Sequence, residues 1–206
     1  MASLGHLYSE LQQFDKAVWL RQEALALFRE IGDSEGEGRA LTGLGSGYIA
    51  LGRFEEGIDC QEQALTICRR TAYPYRERVA LEHLGIAYRA VRRFEEAIEC
   101  YQGALVISQD LGLQWGGDSI LLNLGEVYVD LRRYQEAIDC YQRALVISRQ
   151  IGYRLGEGNS LFLLGRALEH TRGMEDARAC WEEALHVFTE LGAPRANEAR
   201  ALLEKA

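Results

Sequence analysis

A repeat of fixed length governs this chain. The stretch from Arg92 to Gly112, RRFEEAIECYQGALVISQDLG, returns as RRYQEAIDCYQRALVISRQIG from Arg132 to Gly152, 40 residues later and without a gap. Weaker copies keep the same phase: GRFEEGIDCQEQALTICRR from Gly52, RGMEDARACWEEALHVFTELG from Arg172 and, opening the chain, QFDKAVWLRQEALALFREIG from Gln13. A period of about 20–50 residues marks a solenoid or array, in which a unit cannot bury its apolar face alone and stacks on its neighbours.

Each unit carries two helical patterns. In the second, Leu41, Leu44, Tyr48 and Leu51 lie at i, i+3, i+7 and i+10, one face of a helix. Gly52-Arg53 interrupts it; Phe54, Ile58, Ala64, Leu65 and Cys68 then mark the stripe of a second helix. Glu55 and Glu56 stand in its first turn and Arg69 and Arg70 in its last, the order the helix dipole favours. Glu95-Glu96 and Glu175-Asp176 repeat this at later helix starts. Turns fall at Gly32-Asp33-Ser34, Tyr73-Pro74, Gly116-Gly117-Asp118, Gly152 and Ala193-Pro194, with Pro74 and Pro194 suited to the first turn of the helices that follow. Helices are expected near 2–12, 14–31, 35–51, 54–71, 75–91, 94–111, 118–131, 134–151, 157–171, 174–191 and 195–205. No strand pattern competes.

Every first helix contains Leu-Gly: Leu4-Gly5, Leu44-Gly45, Leu84-Gly85, Leu124-Gly125 and Leu164-Gly165. Glycine inside a helix costs about 1 kcal/mol against alanine, so a recurring one needs a reason. Close approach of the second helix supplies it, with Ala17, Gly57, Ala97, Ala137 and Ala177, then Ala24, Ala64, Ala104, Ala144 and Ala184, as the facing small residues. Tyr8, Tyr48, Tyr88 and Tyr128 follow the glycines as wedges, and Leu168 breaks the series.

Composition narrows the function. Hydrophobic residues make up 48% of 206, enough for a continuous core, in runs too short to cross a bilayer and with no secretory leader pattern. Met1-Ala2-Ser3 leads straight into a repeat, as expected of a chain that starts inside a helix, either truncated or excised from something longer. With 31 acidic against 23 basic residues, a net charge of −8 and no basic stripe, the surface repels nucleic-acid backbones. Cys60, Cys100, Cys140 and Cys180 repeat at one register and read as small buried side chains rather than a metal ladder or disulfides. Free thiols without a Cys-x-x-Cys fit the cytoplasm.

Leu84-Gly85-Ile86-Ala87-Tyr88, Phe94, Ala97, Tyr101 and Ala104 follow an order that resembles the tetratricopeptide repeat (TPR), over nearly the whole chain. The usual tryptophan early in the first helix is Leu41, Leu81, Leu121 or Leu161. The usual proline ending the second is Arg69, Gln109, Arg149 or Thr189. Without that proline the second helix runs on, giving a longer unit than the typical length of about 34 residues. The long unit is similar to those of Pins/LGN-like adaptors, kinesin light chains and TPR tails of bacterial regulators, whose last helix resembles Ala196 to Leu203. The resemblance implies an all-α, right-handed TPR superhelix (α-solenoid) of helix-turn-helix units. A single domain over 1–206 is expected, with units near 1–33, 34–73, 74–113, 114–153 and 154–193 and a capping helix at 194–206.

Catalytic groupings are not found. Thr42-Gly43-Leu44-Gly45-Ser46-Gly47 is glycine-rich, but a phosphate loop follows a strand and opens a helix, and this segment lies mid-helix. His6, His83, His170 and His186 occupy different repeats and registers, which does not make a metal site. No enzyme, cofactor or metal is expected.

The inner surface remains. First helices line the concave side of such solenoids, and the TPR register places Arg39, Thr42 and Ser46, then Glu82, His83, Ile86 and Arg89, on it. Asn123, Glu126, Asp130, Asn159, Phe162, Arg166 and His170 continue the series. In the adaptors it resembles, an asparagine before Leu-Gly contacts the bound peptide; only Asn123 matches, with Gly43, His83 and Leu163 elsewhere. The lysine/asparagine carboxylate clamp of chaperone-binding TPRs is missing, and mixed charge with Ile86, Leu122 and Phe162 suits an amphipathic segment. The reading is a non-catalytic scaffold that binds a peptide or helical protein segment in its groove. The alternative is a sensor or regulatory tail of a larger regulator responding to a peptide or small ligand. Self-association through the open N-terminal edge, against helix 14–31, is a further expectation; nucleic acid and membrane are not expected partners.

Overall fold

The helical periods become helical hairpins. The protein, seen as a computed structural model, is described over residues 13–113, 115–171 and 173–205. Among these residues the chain forms ten helices and no strand: α1 (Phe14–Glu30), α2 (Ser34–Ala50), α3 (Phe54–Arg70), α4 (Pro74–Ala90), α5 (Phe94–Asp110), α6 (Gly117–Asp130), α7 (Tyr134–Gln150), α8 (Arg154–Glu169), α9 (Met174–Glu190) and α10 (Ala196–Leu203). The first helices of the repeats are α2, α4, α6 and α8; the second are α1, α3, α5, α7 and α9. The helix expected near 2–12, and with it the open-edge expectation, lies outside the described residues.

The expected bounds hold to within a few residues, α8 departing most by starting at Arg154. Pro74 opens α4 as expected. Pro194 does not open a helix: it stands in the turn before Ala196, one correction to the sequence reading.

Hydrogen bonds close the turns between helices. After α1 the Gly32 N–H donates to the Arg29 carbonyl and the Asp33 N–H to the Phe28 carbonyl, a Schellman pair that needs a left-handed residue at Gly32, φ 70°. Asp33 then accepts from the Gly36 N–H at 2.9 Å and so caps α2. In the turns within a hairpin an arginine does three jobs. Arg53 precedes α3, pairs with Glu56 in its first turn, and lays its guanidinium 4.4 Å from the Tyr48 ring centroid. Arg93 with Glu96 and Tyr88, and Arg133 with Glu136 and Tyr128, repeat the device.

Packing divides the helices into two compact units, one ending at Leu111 and the other beginning at Gly112. In the N-terminal unit each helix packs on the next, and α2 also touches α4; in the C-terminal unit α6 likewise touches α8. No pair of neighbouring second helices makes comparable contact among the described residues, so the first helices converge and form the inner side of each unit. Val18, Leu25, Leu41, Leu44, Tyr48 and Ile67 make one core; Ile120, Leu121, Ile138, Tyr141, Trp181 and Phe188 are buried in the other unit.

The Leu-Gly glycines are explained differently from the expectation. The alanines of the second helices are buried, as expected. The tightest neighbour of each Leu-Gly glycine among the described residues, however, is a large side chain. A methyl group on Gly85 would come within 2.6 Å of the Tyr101 ring, and one on Gly165 within 2.5 Å of the Trp181 indole. Gly125 receives Tyr141 and Gly45 receives Gln61 in the same way. Small facing small survives where a methyl group on Gly165 would meet the Ala177 carbonyl at 3.0 Å and one on Gly57 the Gly45 carbonyl at 3.3 Å. The repeated cysteines are free thiols, with Cys60, Cys100 and Cys140 buried. Burial pushes the Cys60 and Cys140 thiols up to about 11 and Cys100 to about 12.

Candidate peptide-binding face

On the inner side of the N-terminal unit, α2 contributes an exposed Arg39, its guanidinium 5.9 Å from the Phe28 ring centroid. From α4 come Glu82, His83, Ile86 and Arg89, all half-buried. Glu82 accepts a bond of 3.1 Å from Nη1 of Arg78, a buried residue whose guanidinium lies 5.3 Å from the Tyr75 ring centroid. The floor between the helices is polar. Nε2 of Gln61, on α3, donates to the Thr42 carbonyl at 2.9 Å and stands 3.2 Å from Nδ1 of His83. An amide nitrogen only donates, so Nδ1 accepts and the imidazole proton sits on Nε2. Burial, aided by the charges of Arg78 and Arg21, lowers the His83 pKa to about 4, which leaves the ring neutral at pH 7. Gln61 is fully buried, and its Oε1 and the Nε of Arg78 have no hydrogen-bond partner among the described residues.

The glycine-rich segment of α2 belongs to this floor. A methyl group on Gly43 would lie 2.5 Å from Nε of Arg21, one on Gly45 would meet Gln61, and one on Gly47 would meet Val18 at 2.8 Å. Side chains fill the room the three glycines leave, and the segment is packing rather than a phosphate cradle.

On the inner side of the C-terminal unit, α6 carries half-buried Asn123 and Glu126 and exposed Asp130. The Tyr141 hydroxyl donates to Oε1 of Glu126 at 3.3 Å. On α8, Arg166 is exposed and Asn159 half-buried. Phe162 departs from the expectation. It is only 4% exposed, set edge-on to Phe188 at 6.3 Å, with the Arg195 guanidinium 5.4 Å from its ring centroid. Nη1 of Arg195 also donates to Oδ1 of Asn159 at 2.6 Å, so the turn before α10 covers this end of the face. Phe162 is therefore core, not groove. His170 caps α8 and stacks on Tyr134 of α7, centroids 4.5 Å apart. The remaining described histidine, His186, stands 3.3 Å from Glu190 on the outer helix α9.

The structure thus places Arg39 on α2 and Glu82, His83, Ile86 and Arg89 on α4 in the N-terminal unit, and Asn123, Glu126, Asp130, Asn159 and Arg166 on the first helices of the other. Sequence reasoning missed Arg21, Gln61, Arg78 and Arg195. A signal existed for two of them: Arg21 and Gln61 occupy the register of Tyr101, Tyr141 and Trp181, so a polar residue there announces a polar floor.

Among the described residues, no helix is long and apolar enough to cross a membrane, and no three His, Cys, Asp or Glu side chains group as metal ligands. The architecture is an α-solenoid of helical hairpins. The tetratricopeptide repeat family pattern matches residues 1–70, 39–110 and 118–190, and a second pattern of that family matches 83–152. The chain belongs to the tetratricopeptide repeat family. No curated protein sequence matches it.

Similar solved structures include BtubC (BKLC) of P. vanneervenii, 23% identical with a TM-score of 0.82 over 92% of this chain and 78% of that one. A putative kinesin light chain of Podosopora anserina with nearly identical TPR-like repeats is 19% identical, TM-score 0.77, over 92% and 94%. A signal-transduction ATPase of Pyrococcus horikoshii with a tetratricopeptide repeat sensor is 19% identical, TM-score 0.86, over 98% of this chain but 32% of that one.

Proposed function

We propose that the protein is a non-catalytic interaction scaffold that holds a peptide or helical segment of a partner protein along the inner side of its first helices. The observation that carries this reading is the face of α4. There Ile86 stays half-buried between Glu82 and Arg89, an apolar contact flanked by opposite charges, while Tyr101, Tyr141 and Trp181 of the second helices are sealed in the core. Such a surface suits an amphipathic segment, with a few central contacts providing most of the affinity. Membership in the repeat family supports a protein partner.

The test is a random-peptide display selected on the wild type, with each selected peptide then measured against Arg89→Glu and Arg166→Glu. Binding should fall by about tenfold or more for peptides that use the face. If every selected peptide binds both variants as tightly as the wild type, the groove assignment is wrong.

A second reading, a sensor within a larger regulator, draws support from the Pyrococcus horikoshii ATPase, whose repeat part is described as a sensor. It requires that a bound ligand alter the dimensions of the array. Small-angle scattering with and without the selected peptides tests it, and unchanged dimensions at saturation remove it.

A further inference from the structure

Among the described residues the repeat phase breaks once at the start of a first helix. Helices α2, α4 and α8 begin at Ser34, Pro74 and Arg154, in register, whereas α6 begins at Gly117, three residues late. Gly116, at φ 89°, stands where a helical turn would be. Trp115 is left 62% exposed, its ring 6.4 Å from that of exposed Tyr153 and tilted by 58°. Beside the missing turn opens a cavity of about 300 Å³ lined by Leu113, Gly117, Ile147, Gln150 and Ile151. That is the lower end of the range for ligand pockets and suits one side chain.

The protein itself indicates what such rings accept. In the corresponding turn before α4, Tyr73 lies under Arg76 at 5.1 Å and Tyr75 near Arg78 at 5.3 Å. The hairpin turns place Arg53, Arg93 and Arg133 over Tyr48, Tyr88 and Tyr128. Among the described residues no cation covers Trp115 or Tyr153. The nearest arginines in sequence are engaged elsewhere: Arg149 pairs with Glu157 and Glu183, and Arg154 with Glu157 and Glu190. That network sets two cations against three carboxylates. The cavity also lies at the C-terminus of α7, whose last residue is Gln150, and the negative end of the helix dipole favours a cation there.

We propose that this pocket takes an arginine side chain from a basic segment of a partner protein. Its methylenes run along Leu113, Ile147 and Ile151, and its guanidinium meets the rings of Trp115 and Tyr153 and the carboxamide of Gln150. The site lies at a repeat junction, apart from the inner face, and does not depend on it.

The probes are three acetylated, amidated pentapeptides, Gly-Gly-X-Gly-Gly, with arginine, citrulline or leucine at X. They are titrated into the protein while the Gln150 carboxamide resonance, which the wild type and the ring variants share, is followed by NMR. The arginine peptide should shift that resonance saturably, citrulline and leucine should bind at least about fivefold more weakly, and Trp115→Ala and Tyr153→Ala should each weaken arginine binding by a similar factor. Trp115 is 62% exposed, so Trp115→Ala should keep the wild-type melting temperature, which is checked first. The Tyr153 ring also rests on Gly156, so Tyr153→Leu, which keeps that cover, is measured beside Tyr153→Ala and should weaken arginine binding as much. Added salt should weaken the interaction. Equal binding of citrulline or leucine, equal binding by both variants, or no shift up to the solubility limit of the arginine peptide each overturns the proposal.

Discussion

His83 shows how far one side chain's behaviour is set by its neighbours. Burial and the charges of Arg78 and Arg21 bring its pKa from the ordinary 6.5 down to about 4 in the folded chain. Between those values the unfolded chain takes up a proton that the native state refuses. The contribution to stability is therefore fully present above about 6.5 and is lost as pH falls through about 4. Replacing the ring by asparagine, the residue found in this register at Asn123, removes the titration and keeps a polar group beside Gln61. In His83→Asn, the loss of stability between pH 7 and pH 4 should be smaller than in the wild type by on the order of 2 kcal/mol. Urea midpoints at the two pH values measure it. Equal losses in both proteins would show that His83 is not held neutral by the fold.

The turns that join helices carry a similar lesson at the level of elements. Just after each second helix the chain passes through a left-handed residue at one repeat position: Gly32, Ala72, Gly112, Gly152 and Gly192. Ala72 is the lone side chain in this series, at φ 52°, with the same pair of closing bonds, from its N–H to the Arg69 carbonyl and from the Tyr73 N–H to that of Cys68. The left-handed conformation costs an L-residue about 1–2 kcal/mol, whereas glycine adopts it freely but loses more entropy on folding. The balance favours glycine. Ala72→Gly should stabilise the protein by about 0.5–1 kcal/mol and raise the melting temperature by about 1–4 °C. An unchanged or lower melting temperature would mean that the Ala72 methyl makes a contact worth as much as the strain. Arg92 and Arg132 share this conformation within hairpins, but the Arg92 guanidinium lies 5.5 Å from the Phe94 ring centroid, so glycine there gives up a contact.

Across the whole molecule, what the sequence could convey follows from what a period encodes. The 40-residue phase locates helices, turns and buried alanines, because each depends on residues a few positions away. It did not reveal that Phe162 is covered, since the cover is Arg195, a residue of the following turn that only packing brings near. Nor did it show that Tyr101 and Trp181, rather than alanines, fill the space over the glycines, because period alone does not tell which side chain crosses a helix pair. The same locality governs how the chain comes apart. Substantial contacts among the described helices join only neighbours in sequence or next neighbours. A stack of this kind has a stability that sums over units and their interfaces rather than one shared core. Trp181 is 1% exposed, fills the space over Gly165 and donates its indole N–H to the Phe162 carbonyl at 3.2 Å, so Trp181→Ala should cost about 3–5 kcal/mol. That loss should fall on α8, α9 and α10 first. Hydrogen exchange read by mass spectrometry should then show these helices deprotected while α2, α3 and α4 keep nearly their wild-type protection. If the substitution instead speeds exchange equally in all helices, the molecule unfolds as one cooperative body and the nearest-neighbour account fails.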